Sequence, residues 1–138
     1  KSPVRQIIRQ KAVSVITEVK VISNKLLLKQ LTNEEIEYAI ERIEHLEKIF
    51  DEVQNSFKND PNFLESKKME VKVSLLTQYL ESGQWLRDFE LDEKGKLPSD
   101  LKRGILSEDG LYNLIADIEQ AKRKKSGFLG KIRNIFGL

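Results

Sequence analysis

The sequence predicts an all-α protein: an antiparallel bundle of three to four helices, with a structured loop at about 84–106 and an amphipathic C-terminal tail. Three observations carry that expectation. No glycine occurs before Gly83, and Pro3 and Pro61 bracket a long stretch without either helix breaker. Ile36, Ile43, Phe50 and Phe57 recur every seven residues, with Ala39, Leu46 and Val53 filling the seam between them. Helix punctuation then recurs downstream, at Asn59-Asp60-Pro61-Asn62, at Gly83 and at Ser107.

Residues 1–31 read as a basic N-terminal helix. Ile8, Ala12, Val15, Val19, Ile22 and Leu26 fall at spacings of three and four. The valines also suit a strand, but nothing nearby offers a hairpin turn or a second strand to pair with. The core, residues 32–121, is expected to begin at a capping box. Thr32 is the N-cap with Glu35 three positions on, and Leu31 and Ile36 close a hydrophobic staple. The heptads give this helix about 26 residues, with Ile40 and Ile49 widening the stripe. A further helix is expected from about Phe63 to Ser82, burying Leu64, Val71, Leu75, Leu76, Tyr79 and Leu80, with Gly83 at its left-handed close. Residues 84–106 are read as a loop with one short turn at Pro98–Arg103. Ser107 caps the last bundle helix, Glu108 and Asp109 favour its positive end, and Leu111, Leu114, Ile115 and Ile118 form its buried stripe. Lys122-Arg123-Lys124-Lys125 ends it, and Ser126-Gly127 breaks it.

A net charge of +2 conceals a block pattern. Residues 1–31 have a balance of +6, residues 32–60 of −6, residues 61–121 of −4 and residues 122–138 of +6. Basic ends and an acidic centre point either to ends folded on the middle or to an end that meets an anionic surface.

Composition removes whole classes of chemistry. The absence of cysteine excludes disulfide scaffolds, thiolate metal sites and cysteine nucleophiles. A single histidine, His45, cannot form a paired-imidazole site and is read as a helix-surface or boundary residue. Asp88, Glu90, Asp92 and Glu93 are the densest acids, but an EF-hand loop starting at Asp88 would need glycine where Glu93 stands. They are read as solvated loop charge. Lys94-Gly95-Lys96 lacks the spaced glycine and Lys-Ser/Thr ending of a phosphate loop and is read as a turn. No catalytic residue, cofactor or metal is expected, and the protein is not expected to be an enzyme.

The tail, residues 122–138, carries the functional signal. Phe128, Leu129, Ile132, Ile135 and Phe136 share one helical face, and Lys131 and Arg133 point elsewhere. With Lys122, Arg123, Lys124 and Lys125 they are the expected contact residues for an anionic membrane surface or a protein partner, docking on the bundle itself being the third option. Trp85 and Phe89, one turn apart, either pin the loop to the bundle or serve as docking aromatics. Nucleic-acid binding through residues 5–29 and 122–133 is the alternative function, and a homo-oligomer through the first helix is left open.

Two stretches are distinctive. One is Tyr79-Leu80-Glu81-Ser82-Gly83-Gln84-Trp85-Leu86-Arg87-Asp88-Phe89-Glu90, and the other is Gly95-Lys96-Leu97-Pro98-Ser99-Asp100-Leu101-Lys102-Arg103-Gly104-Ile105-Leu106-Ser107-Glu108-Asp109-Gly110-Leu111-Tyr112-Asn113-Leu114. Together they resemble a family of small helical proteins, mainly of streptococci and related Gram-positive bacteria, known as domain-of-unknown-function family 4298. The resemblance covers roughly residues 36–121. It implies a bacterial, cytoplasmic helical protein, peripheral at the inner face of the membrane if the tail binds there, and brings no catalytic residues with it. The chain starts at Lys1 and its one methionine is Met69, so the sequence reads as a fragment or as a chain whose true start is missing. Its first residues show no targeting segment.

Overall fold

The computed structural model describes residues 3–137, apart from the Leu31 side chain. The protein is all-helical over that range. Helix α1 runs Pro3–Asn59, α2 Lys67–Glu81, α3 Gln84–Glu93 and α4 Gly110–Phe136. Single 3-10 turns at Phe63–Glu65 and Gly104–Leu106 complete the order.

The expected boundary at Thr32 is absent. Thr32 lies inside α1, and its hydroxyl donates back to the Leu28 carbonyl at 2.9 Å instead of accepting from the turn ahead. A threonine that bonds to position i−4 is satisfied within a continuing helix. Gln30 also donates to Glu34 across the expected break. The staple expected of Leu31 lies outside the described residues. The two predicted helices are therefore one of 57 residues.

Two compact units divide the chain, residues 1–38 and residues 39–138. In the first, every described side chain from Pro3 to Gln30 is exposed. In the second, the rest of α1 joins α2, α3 and α4 around one core. Ile43, Phe50 and Val53 of α1 meet Leu76 and Tyr79 of α2 and Leu111 and Ile118 of α4. Helices α1 and α2 are antiparallel there: Glu52 pairs with Lys68 and Lys72, while ten residues earlier Arg42 reaches the Tyr79 end of α2.

Ser66 caps α2 by accepting from the Met69 amide at 3.2 Å, so the expected helix from Phe63 is a 3-10 turn followed by a later start. Val71 and Leu75, expected in the core, are exposed at 61% and 41%. The buried stripe of α2 runs instead through Met69, Val73, Leu76 and Tyr79. Gly83, at φ +86°, closes α2 as expected and also starts α3. That left-handed backbone favours glycine.

Residues 84–106 are less loop-like than expected. Trp85, Asp88, Phe89 and Asp92 fall at helical spacing, and α3 forms over them. The rest contributes real core: Leu97, Leu101, Ile105 and Leu106 are all buried. Pro98–Leu101 is a hydrogen-bonded turn. Ser107 does not cap α4, whose N-cap is Asp109, without a side-chain bond. At Gly110, the first position of α4, any Cβ would run into the Ser107 hydroxyl, so a larger residue fits only if that side chain moves.

The tail is no separate unit either. Helix α4 passes through Ser126-Gly127 and Gly130 and ends at Gly137, whose φ is +68°. Neither internal glycine takes a left-handed conformation. Each costs about 1 kcal/mol of helix propensity, which weakens a helix without breaking it.

Candidate functional site

The far end of α4 is built by extension. The face that Leu111, Leu114 and Ile118 bury in the bundle continues along the same helix as Leu129, Ile132 and Phe136. Helix α4 spans about 40 Å and α2 only about 22 Å at 1.5 Å per residue. The apolar face thus outlasts its partner. Phe128 is 64% exposed, Leu129 50%, Ile135 76% and Phe136 71%, while Ile132 is half-buried.

Charge frames this face. At about 100° per residue, Lys124 and Lys131 flank one side and Lys122 and Arg133 the other, with Arg123 on the back. All five are exposed. Lys122 makes only an intrahelical pair, with Glu119 at 3.4 Å. Lys125 is spent differently: it is half-buried and pairs with Glu65 of the turn before α2. That ammonium holds the Glu65 carboxyl below its ordinary range. The pair ties α4 to the bundle where the exposed stretch begins. Chemically, the arrangement offers a narrow apolar strip between two rows of cations.

The aromatic pair sits elsewhere. Trp85 is half-buried and its indole N–H donates to the Ile105 carbonyl at 2.9 Å. The Phe89 ring stacks on it, with centroids 5.0 Å apart. Of the two readings of these residues, the geometry displays the pinning contact: Trp85 fastens α3 to the segment before α4.

The acidic cluster departs most from expectation. Asp88 is fully buried, not solvated. Its carboxylate accepts from Arg42 through both Nε, at 2.9 Å, and a terminal guanidinium nitrogen, and from the Tyr79 hydroxyl at 2.6 Å. A buried carboxylate needs this degree of satisfaction. Asp92 pairs with Arg103, whereas Glu90 and Glu93 are exposed. Glu47, on which the sequence offered no reading, is also buried and accepts from the Ile105 amide at 2.7 Å. Asp88 could have been found from its place between Trp85 and Phe89 on one helical face. Glu47 carries a similar signal, four residues after Ile43 and three before Phe50, although its partner is a backbone amide 58 residues away.

These acids are cross-links of the bundle. Among the described residues no group of three or more His, Cys, Asp or Glu is placed to hold a metal. His45 is exposed on α1, beside a surface groove lined by Ile49, Val71 and Leu75.

Burial drives the Tyr79 hydroxyl well above its ordinary value near 10, helped by its bond to Asp88 and by that residue's charge. A group whose pKa rises on folding stabilises the fold below its unfolded pKa and loses that contribution as pH climbs towards the folded one. Stability of the bundle is therefore expected to fall above about pH 10. Chemical unfolding at stepped alkaline pH checks this. Tyr79→Phe should be less stable at neutral pH and show a shallower alkaline decline. An equally steep decline in both proteins would assign it to other groups.

No helix among the described residues is long and apolar enough to cross a membrane. Residues 43–124 match the family model described as Domain of unknown function (DUF4298). The exposed part of α1 before residue 31 and the apolar strip of α4 both fall outside that match. No curated protein matches the chain. No solved structure matches it either.

Proposed function

We propose that this chain, which belongs to the Domain of unknown function (DUF4298) family, is a non-catalytic binding or adaptor protein that attaches peripherally to an anionic membrane surface through the end of α4. One observation carries the reading: Phe128, Leu129, Ile135 and Phe136 are exposed in a row between exposed cations. An apolar strip between basic flanks suits the boundary between headgroups and acyl chains, where the strip sinks in and the cations stay at headgroup level. Each cation near an anionic leaflet contributes about 1 kcal/mol. A fully buried Phe or Leu side chain contributes about 1.5–3 kcal/mol. The role is that of a helical module held at the inner face of a bacterial membrane.

Vesicle co-sedimentation of the intact chain tests this. Binding is expected to vesicles of phosphatidylcholine with about one-third phosphatidylglycerol, weaker as salt screens the surface, and much weaker to phosphatidylcholine alone. Absence of binding to the anionic vesicles at low salt overturns the proposal. Salt-sensitive retention on DNA, together with that absence, would favour the nucleic-acid reading instead.

A further inference from the structure

We infer that the N-terminal part of α1, residues 4–30, is a second docking surface for an anionic lipid bilayer. The inference names the same kind of surface as the proposal above but rests on a different helix. It stands whether or not the end of α4 binds. The first observation is exposure. Val4, Ile8, Val15, Val19, Ile22 and Leu26 form one stripe at spacings of three, four and seven, and each is between 56% and 63% exposed.

Charge selects the occupant. The described bases of this stretch straddle the stripe at about 100° per residue: Arg5, Arg9 and Lys20 on one side, Lys11, Lys25 and Lys29 on the other. The back of the helix carries Gln6, Gln10, Thr17 and Asn24 together with Val13, Val21 and Leu28, and no charge. Glu18 is the one acid. Two rows of cations along an apolar strip complement phosphate headgroups above acyl chains. They do not complement a second copy of the same helix. In an antiparallel pair centred on Glu18, Lys11 would face Lys25 and the two copies of Glu18 would face each other. Width points the same way. Ile7, Ile16 and Leu27 on the flanks of the stripe are also exposed, off the narrow seam a two-stranded coiled coil buries.

Hydrogen–deuterium exchange on the full chain tests this, read peptide by peptide with and without vesicles of phosphatidylcholine containing about one-third phosphatidylglycerol. Amides of residues 4–30 are expected to gain protection on these vesicles and none on phosphatidylcholine alone. Val15→Asp/Ile22→Asp in the full chain should lose at least about tenfold of that vesicle affinity, since two buried aliphatic side chains contribute at least that much. Peptides from residues 127–136 report on α4 in the same samples, so either surface can fail alone. No added protection of residues 4–30 on anionic vesicles overturns the inference. Protection that rises with protein concentration without lipid, with a dimer seen by analytical ultracentrifugation, overturns it in favour of a second copy.

Discussion

Arg42→Leu is expected to destabilise the bundle by about 3–5 kcal/mol, the cost of leaving one partner of a buried ion pair uncompensated. Asp88 has no exposure, and without Arg42 its carboxylate would keep only the Tyr79 hydroxyl. For a unit of this size the loss corresponds to a fall in Tm on the order of 15 °C. The reciprocal change tells whether the pair stabilises or specifies. Arg42→Leu/Asp88→Leu removes both charges and is expected to recover much of the loss, because well-packed apolar replacements of buried pairs are often neutral or stabilising. Thermal or urea unfolding of these two variants and of Asp88→Leu beside the parent measures this as a double-mutant cycle. If Arg42→Leu unfolds within about 1 kcal/mol of the parent, the pair is no more than a surface salt bridge.

Phe128→Ser/Phe136→Ser is expected to weaken binding to anionic vesicles by more than about a hundredfold. Two phenyl rings that sink into the interface contribute about 3 kcal/mol or more together, and each 1.4 kcal/mol is about tenfold in affinity. Both rings are exposed, at 64% and 71%, so the variant should unfold at the same temperature as the parent. This separates lost docking from lost folding. Neutralising Lys124 and Lys131 to Gln should act differently, flattening the salt dependence while leaving residual binding. Unchanged vesicle affinity in the Phe variant removes these rings from the attachment.

Much of the architecture was legible because periodicity is local. The heptads at Ile43, Phe50 and Val53 and the stripe at Leu111, Leu114 and Ile118 are buried where the spacing puts them. Helix ends were harder to read. Thr32 and Ser107 have the chemistry of caps, but a cap residue is a permission to stop and not an obligation. Thr32 bonds backwards to Leu28, and α1 continues. Gly127 and Gly130 likewise permit a break that α4 does not take.

Of the candidate site, the residue set and its amphipathic pattern came from order along the chain; its exposure did not. Whether Phe128 and Phe136 dock on the bundle depends on where α2 and its preceding turn stop, and that is a property of the assembled helices. The fates of the acids also needed the fold. Asp88 and Glu90 are two positions apart in one acidic run, yet one is sealed between Arg42 and Tyr79 and the other faces water.

By itself, then, the order of residues determined the helical class, the inward faces of α1 and α4 in the core and the two cationic, apolar ends. Only the tertiary structure decided that α1 is continuous, that residues 84–106 are held by Trp85 and Glu47, and that Asp88 is internal. The physical reason is range. Helical faces follow from residues three or four apart, while burial of a charge depends on partners 46 or 58 positions away that only packing brings together.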